Sequence, residues 1–106
     1  MGNNPHPLPE KYAQMSDEEK ITHWFNYIYR GMRCAGEDGY DAISILDQAE
    51  LEGYRATDPE IDMFMPYILG YLSRMWMEPA EQFVGRVNRQ MGTKYEVISI
   101  PRPKRS

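Results

Sequence analysis

Residues 60–79, EIDMFMPYILGYLSRMWMEP, are the most apolar stretch of the chain, and a proline, Pro66, sits inside it. The apolar spacing demands a helix, while proline removes a helical hydrogen bond and crowds the preceding turn, at roughly 3 kcal/mol in a helix interior. The stretch opens with a strong start signal. In Thr57-Asp58-Pro59-Glu60, Asp58 or Thr57 serves as cap and Pro59 suits the first helical position. Ile61, Phe64, Met65, Ile68, Leu72, Met75 and Trp76 form one stripe, which predicts a helix over 59–77. Met63, Tyr67, Leu69, Tyr71 and Met77 lie outside that stripe, so the helix is apolar on more than one face. Such a helix is either central to its fold or shows its second face to a partner. Pro66 implies one of two outcomes: a kinked continuous helix, or a break into a short piece and a longer one that starts at Pro66. Either outcome is expected to present Met63, Phe64, Met65, Pro66 and Tyr67 at an irregular corner, as a structural kink or as a contact site.

The rest of the chain surrounds this helix with shorter ones. Pro5, Pro7 and Pro9 alternate near the start, so residues 1–15 are expected as an extended, proline-rich arm. Ser16-Asp17-Glu18-Glu19 is a capping box, and three acids suit the positive end of a helix dipole. Ile21, Trp24, Phe25, Ile28 and Met32 then recur at helical spacing, predicting a helix over 17–34 that stops near Gly36. A second helix is expected over 39–52, with Asp38 as cap, Ala42, Ile45, Leu46 and Ala49 facing inward, and Gly53 as terminator. Glu78-Pro79 opens the last, over 79–91, in which Ala80, Phe83, Val84, Val87 and Met91 face inward and Gly92 ends the run. Tyr95 to Ile100 reads as a short extended segment, and Pro101 to Ser106 as a basic tail. The expectation is all-α: a small four-helix bundle over 16–92 with the arm before it and the extended, basic segment 93–106 after it. Trp24, Ile28, Leu46, Ile68, Leu72, Phe83 and Val87 are its expected core.

Charge is uneven along the chain. Residues 1–85 hold 6 Lys/Arg against 15 Asp/Glu, whereas residues 86–106 hold 6 Lys/Arg against Glu96 alone. Between residues 37 and 62 nine acids face only Arg55. A solvated helix face explains this, and so does a docking surface for a basic partner, with Asp47, Glu50 and Glu52 as its candidate contacts.

Little in the sequence points to chemistry. His6 and His23 have no metal-ligand spacing to each other or to Cys34, the only cysteine. Asp38-Gly39-Tyr40-Asp41 lacks the later ligands of a calcium loop, and no glycine cluster is followed by the Gly-Lys-Ser/Thr of a phosphate loop. The expectation is a protein without catalytic residues, metal or cofactor. The first residues lack the charged and apolar regions of a signal peptide, and the uncharged run Met63 to Ser73 is about half of a membrane span, so a cytoplasmic location is expected. Arg102, Lys104 and Arg105 of the tail are candidate phosphate contacts, which makes a small nucleic-acid-associated regulator the alternative reading. The acidic helices argue against direct nucleic-acid binding. Eight tyrosines, eight methionines and two tryptophans favour a surface that binds other proteins.

The segments NNPHPLPEKYAQM, WFNYIYRGMRCAGEDGYDA and GRVNRQMG bring in a resemblance. Together they resemble, in general character along most of the chain, the small anti-RecBCD proteins of lambdoid phages. The resemblance implies a non-catalytic modulator in the host cytoplasm that binds the RecBCD nuclease-helicase through RecC and inhibits or redirects it in DNA recombination. It also implies a cyclophilin-type prolyl isomerase as companion, for which Met65-Pro66-Tyr67 is a suitable peptide if Pro66 is exposed. On the acidic-surface reading, charge reversal at Asp47, Glu50 and Glu52 should slow association with the partner, mostly at low salt. Association rates measured across an ionic-strength series check this; rates indifferent to both reversal and salt contradict it.

Overall fold

The computed structural model describes residues 8–35 and 46–98, and among them every regular element is helical. A short 3-10 helix, Tyr12–Gln14, precedes α1 (Asp17–Ala35), α2 (Gln48–Thr57), α3 (Ile61–Met75) and α4 (Ala80–Met91). The chain is a small four-helix bundle. α3 lies at its centre and packs chiefly against α1 on one side and α4 on the other. This two-sided cover explains its composition. Ile61, Phe64, Met65, Ile68, Leu69 and Leu72 are all buried, so the inward arc is wider than one stripe and includes Leu69. All seven expected core residues are buried as well.

α1 begins as its capping box dictates. The Ser16 amide donates to Glu19 Oε1 at 3.0 Å, and the Glu19 amide donates to Ser16 Oγ at 3.2 Å. Those bonds favour the charged form, and they hold the Glu19 carboxyl below its ordinary value.

α2 differs from the expected 39–52. It starts at Gln48, where the Asp47 carboxylate accepts from the Glu50 amide at 2.9 Å, and it runs through the expected terminator Gly53 to Thr57. Asp47-Gln48-Ala49-Glu50 has the spacing of a cap followed by a first-turn acid, and this local bond sets the start. Gly53 is buried in the helix rather than ending it, and Leu46 is buried just ahead of the helix. The positions from Gly39 to Ile45 in that expected helix lie outside the described residues.

Asp58 joins the elements. Its amide donates to the Tyr54 carbonyl at 2.8 Å and closes α2. Its carbonyl accepts from the Ile61 amide at 3.0 Å, and its Oδ1 from the Glu60 amide at 3.0 Å, which turns the chain into α3. Its Oδ2 accepts from the Tyr12 hydroxyl and, at 3.3 Å, from the Trp24 indole N–H, which is also 2.8 Å from the Tyr12 oxygen. Burial and the hydrogen bond to the Asp58 carboxylate push the Tyr12 phenol well above its ordinary range. Residues 8–15 are therefore no free extended arm: Tyr12 is part of the core, and Leu8 and Met15 pack against it. The arm's first seven residues lie outside the described residues.

The far end of the chain is also tied down. α4 ends at Gly92, whose φ of 66° is the left-handed conformation glycine adopts without steric cost. Asn88 Oδ1 then accepts from the Thr93 hydroxyl at 2.8 Å and the Tyr95 amide at 2.9 Å, while its Nδ2 donates to the Tyr95 carbonyl at 3.1 Å. The Tyr95 hydroxyl donates to Asp62 at the start of α3. Residues 93–98 form no strand, and the remainder of the expected extended segment and tail lies outside the described residues.

Pro66 sits within α3, which continues through it. The lost bond costs roughly 3 kcal/mol, whereas each fully buried Ile, Leu or Met contributes about 1.5–3 kcal/mol. Met65, Ile68, Leu69 and Leu72 together outweigh the proline, so packing carries the helix through. Restoring the N–H should then stabilise the protein. Pro66→Ala is expected to gain about 1–2 kcal/mol, the regained bond less the added freedom of the unfolded chain. Urea unfolding measures this; a destabilised variant would mean that the ring's packing outweighs the missing bond.

Candidate protein-contact surface

With α1 and α4 occupying two sides of α3, a third side remains open. Its exposed residues are Met63, Tyr67, Tyr71, Arg74 and Met75. Met63, Tyr67 and Tyr71 are spaced by four and Arg74 follows by three, so these four share one narrow stripe on the helix surface. Met63 is 62 % exposed, Tyr67 42 %, Tyr71 41 % and Met75 50 %. The stripe continues sideways onto α1. The Phe25 ring lies 5.8 Å from that of Tyr71 and stacks on Tyr29 at 5.7 Å; Tyr29 in turn stands edge-on to Trp76 at 5.3 Å. The Arg33 guanidinium lies over the Tyr29 ring and donates to its hydroxyl at 3.1 Å. The result is a face of tyrosine, methionine and arginine backed by half-buried aromatic rings. Tyrosine, methionine and arginine are residue types enriched at protein interfaces, which makes this face the candidate contact surface.

Just past α3 the backbone reverses at Met77. The Met77 amide donates to the Arg74 carbonyl at 3.1 Å and the Glu78 amide to the Ser73 carbonyl at 2.9 Å, the paired bonds of a Schellman cap. Met77 occupies the left-handed position of that cap with φ of 54°, and its side chain is 92 % exposed.

The structure redistributes the expected site residues. Met63 and Tyr67 are on the open face, and Pro66 is half-buried beside them. Phe64 and Met65 are not presented at a corner; both point into the core, because the helix continues without breaking and carries them to the side covered by its neighbours. Met75, expected in the core stripe, is half exposed instead, because it lies at the end of the helix. Asp47, Glu50 and Glu52 are all exposed on or before α2. The Asp47 carboxylate is engaged as the α2 cap, so Glu50 and Glu52 are the cleaner positions for charge reversal. Arg102, Lys104 and Arg105 lie outside the described residues. Tyr71, Arg74 and Met75 join Met63 and Tyr67 on the exposed side of α3, beyond the expected site residues. The available signal was the second apolar series Met63, Tyr67, Tyr71, itself at helical spacing.

The remaining polar groups hold the fold together. Asp62 binds Arg55 at 2.8 Å as well as Tyr95, and Glu78 receives one Arg86 nitrogen at 2.8 and 2.9 Å. Among the described residues no group of three or more His, Cys, Asp or Glu side chains is placed to hold a metal ion, and no helix is long and apolar enough to cross a membrane. A shallow depression is lined by Met15, Glu18, Glu19, Thr22 and His23. Glu19 is already engaged there by Ser16. Comparison of the chain with protein-family models, with curated proteins and with solved structures gives no match.

His23 is half-buried on α1. Its ring stands edge-on to Tyr12 and Trp24, with centroids 5.8 and 5.7 Å away, and its buried Nε2 has no hydrogen-bond partner. Burial disfavours the imidazolium and pushes the His23 pKa below its ordinary 6.5. The unfolded chain therefore takes up the proton first, so this residue's contribution is present above pH 6.5 and is lost as pH falls from there toward the folded pKa. Thermal melting at pH 7.5 and at pH 5.5 should show a loss for the wild type that His23→Gln reduces. Equal losses in the two proteins would assign the effect to other groups.

Proposed function

We propose that the chain is a non-catalytic binding protein that attaches to a larger protein through the open face of α3 and the adjoining flank of α1. The observation that carries this reading is the row Met63, Tyr67, Tyr71, Met75, exposed on the helix that is otherwise the most buried of the bundle. Tyrosine and methionine placed together on a surface supply large contact area with adaptable polar tips. The engagement of Asp58 by Tyr12, Asp62 by Tyr95, Glu78 by Arg86 and Asn88 by Tyr95 supports the non-catalytic part of the reading, since these groups spend their hydrogen bonds on the fold.

The resemblance to the small anti-RecBCD proteins of lambdoid phages names the target to test first: the host RecBCD nuclease-helicase, contacted through RecC and inhibited or redirected. Its companion isomerase would need Pro66 in an extended, accessible peptide. Here the ring is half-buried within a helix, so α3 would have to open locally before a cyclophilin cleft could take it.

The experiment is a titration of the protein into RecBCD digesting linear duplex DNA, with direct binding measured in parallel. The wild type should bind and slow or redirect digestion. Tyr67→Ala combined with Tyr71→Ala should weaken binding by more than about tenfold, the scale of hot-spot truncation, while leaving the melting temperature close to wild type. A double variant that binds as the wild type does removes this face from the reading. A wild type that neither binds nor affects digestion removes RecBCD.

A further inference from the structure

The exposed row of α3 has a spacing that reads the same in both directions. Glu60 precedes the helix as its N-cap residue, with a helical φ of −85°. Met63, Tyr67, Tyr71 and Arg74 follow at intervals of three, four, four and three residues. Each of these residues is exposed, and at that spacing they form one ridge along the helix. The two ends of the ridge carry opposite charge. Among the described residues neither the Glu60 nor the Arg74 side chain makes an ion pair or a hydrogen bond. They cannot reach each other either, because a helix rising about 1.5 Å per residue holds them about 21 Å apart. Asp62, the other acid of α3, lies off the ridge, where Arg55 and Tyr95 hold it.

A second copy of this chain fits that pattern. Laid antiparallel about a two-fold axis at Tyr67, the ridge sets Glu60 opposite the second copy's Arg74, Met63 opposite its Tyr71, and Tyr67 against its own equivalent. The middle contacts are then methionine–aromatic and aromatic pairs, and the outer ones are ion pairs. A parallel arrangement sets like charges together at both ends, so the charge pattern selects the antiparallel one. A two-fold interface is self-complementary in this way: each residue meets its counterpart twice. Even with Met75 and the α1 rings beside it, the ridge falls well below the roughly 20–30 residues a side of a standard stable interface, so the pair is weak and exchanges. On the reading of this face as the protein-contact surface, we infer that the free protein pairs antiparallel with a second copy of itself through the α3 ridge, so that self-pairing and partner binding exclude each other. The monomer is then the binding-competent form, and apparent affinity for the partner is reduced by the monomer's fraction.

Sedimentation equilibrium of the full-length protein over a wide concentration range tests the pairing. The mass should rise with concentration from 12.4 kDa toward twice that value. Glu60→Arg and Arg74→Glu should each raise the dimer dissociation constant by about tenfold or more, because like charges then face each other at both ends. Mixed in equal amounts, the two variants should associate as the wild type does, since in the mixed pair every arginine again faces a glutamate. A variant that had merely lost its fold could not be rescued by the other. A mass of 12.4 kDa at every concentration, a mass that grows past the dimer, single variants that associate as the wild type does, or a mixture no better than either variant alone would each overturn the inference. RecBCD saturated with the protein should gain the mass of one chain; a gain of two would overturn the mutual exclusion. If the protein stays monomeric while Tyr67→Ala with Tyr71→Ala abolishes RecBCD capture, the pairing fails and the proposed function stands. If the pairing results hold while RecBCD is not captured, that target falls and the dimer stands.

Discussion

Burying the Trp24 indole poses a problem that organises the rest of the bundle. The ring is fully buried, and its N–H must find an acceptor or lose a hydrogen bond to water at a cost of about 1–3 kcal/mol. The acceptors are the Tyr12 hydroxyl oxygen and the Asp58 carboxylate. That solution brings a carboxylate inside, which is tolerable only because Tyr12, Trp24 and the Glu60 amide all donate to it. One set of bonds thus pins the segment before α1, the middle of α1 and the corner between α2 and α3. Because each donor comes from a different part of the chain, the bonds form together only when the helices are already close to their native places. Tyr54, edge-on to Trp24 at 5.4 Å, closes the remaining side, and burial pushes its phenol well above the ordinary range.

With that corner fixed, α3 has little freedom. Its first turn is held by Asp58 on one side and by Asp62, through Tyr95 and Arg55, on the other. The exposed Arg55–Asp62 pair contributes little by itself, since such pairs are worth less than about 1 kcal/mol in water. Its value is positional: it joins α2 to α3 at the point where Tyr95 brings in the C-terminal segment. α1 and α4 then cover two sides of α3, and its third side stays open as the Tyr/Met/Arg face. A central helix that keeps one apolar side exposed loses the stabilisation that covering it would bring. A partner surface supplies that cover in the proposed function.

Several local signals were legible where the deciding bond spans only a few residues. The Ser16–Glu19 box started α1, the 79–91 helix followed from its apolar spacing and closing glycine, and all seven expected core residues proved buried. The second helix shows where that logic misleads. Glu37-Asp38-Gly39 and Asp47-Gln48-Ala49-Glu50 both look like helix starts, and Gly53 looks like a stop. Asp47 caps the helix, and the helix continues to Thr57 because Tyr54 must reach the ring cluster around Trp24 and Asp58 must reach Tyr12. Those partners are 30 to 46 residues away, beyond any local pattern.

The sequence by itself determined the all-α class and the presence, in the 60–79 stretch, of more apolar surface than one stripe can bury. Periodicity and caps are short-range, and they state which residues share a face. They do not state which face is covered. Only the packing of α1 and α4 decided that Phe64, Met65 and Leu69 go inward while Met63, Tyr67 and Tyr71 remain outside, and that Pro66 is carried within a continuous helix instead of breaking it. The left-handed turn at Met77 is likewise absent from sequence pattern, because methionine does not favour that conformation. The Ser73 and Arg74 carbonyls impose it at the end of a helix whose length the core has already set.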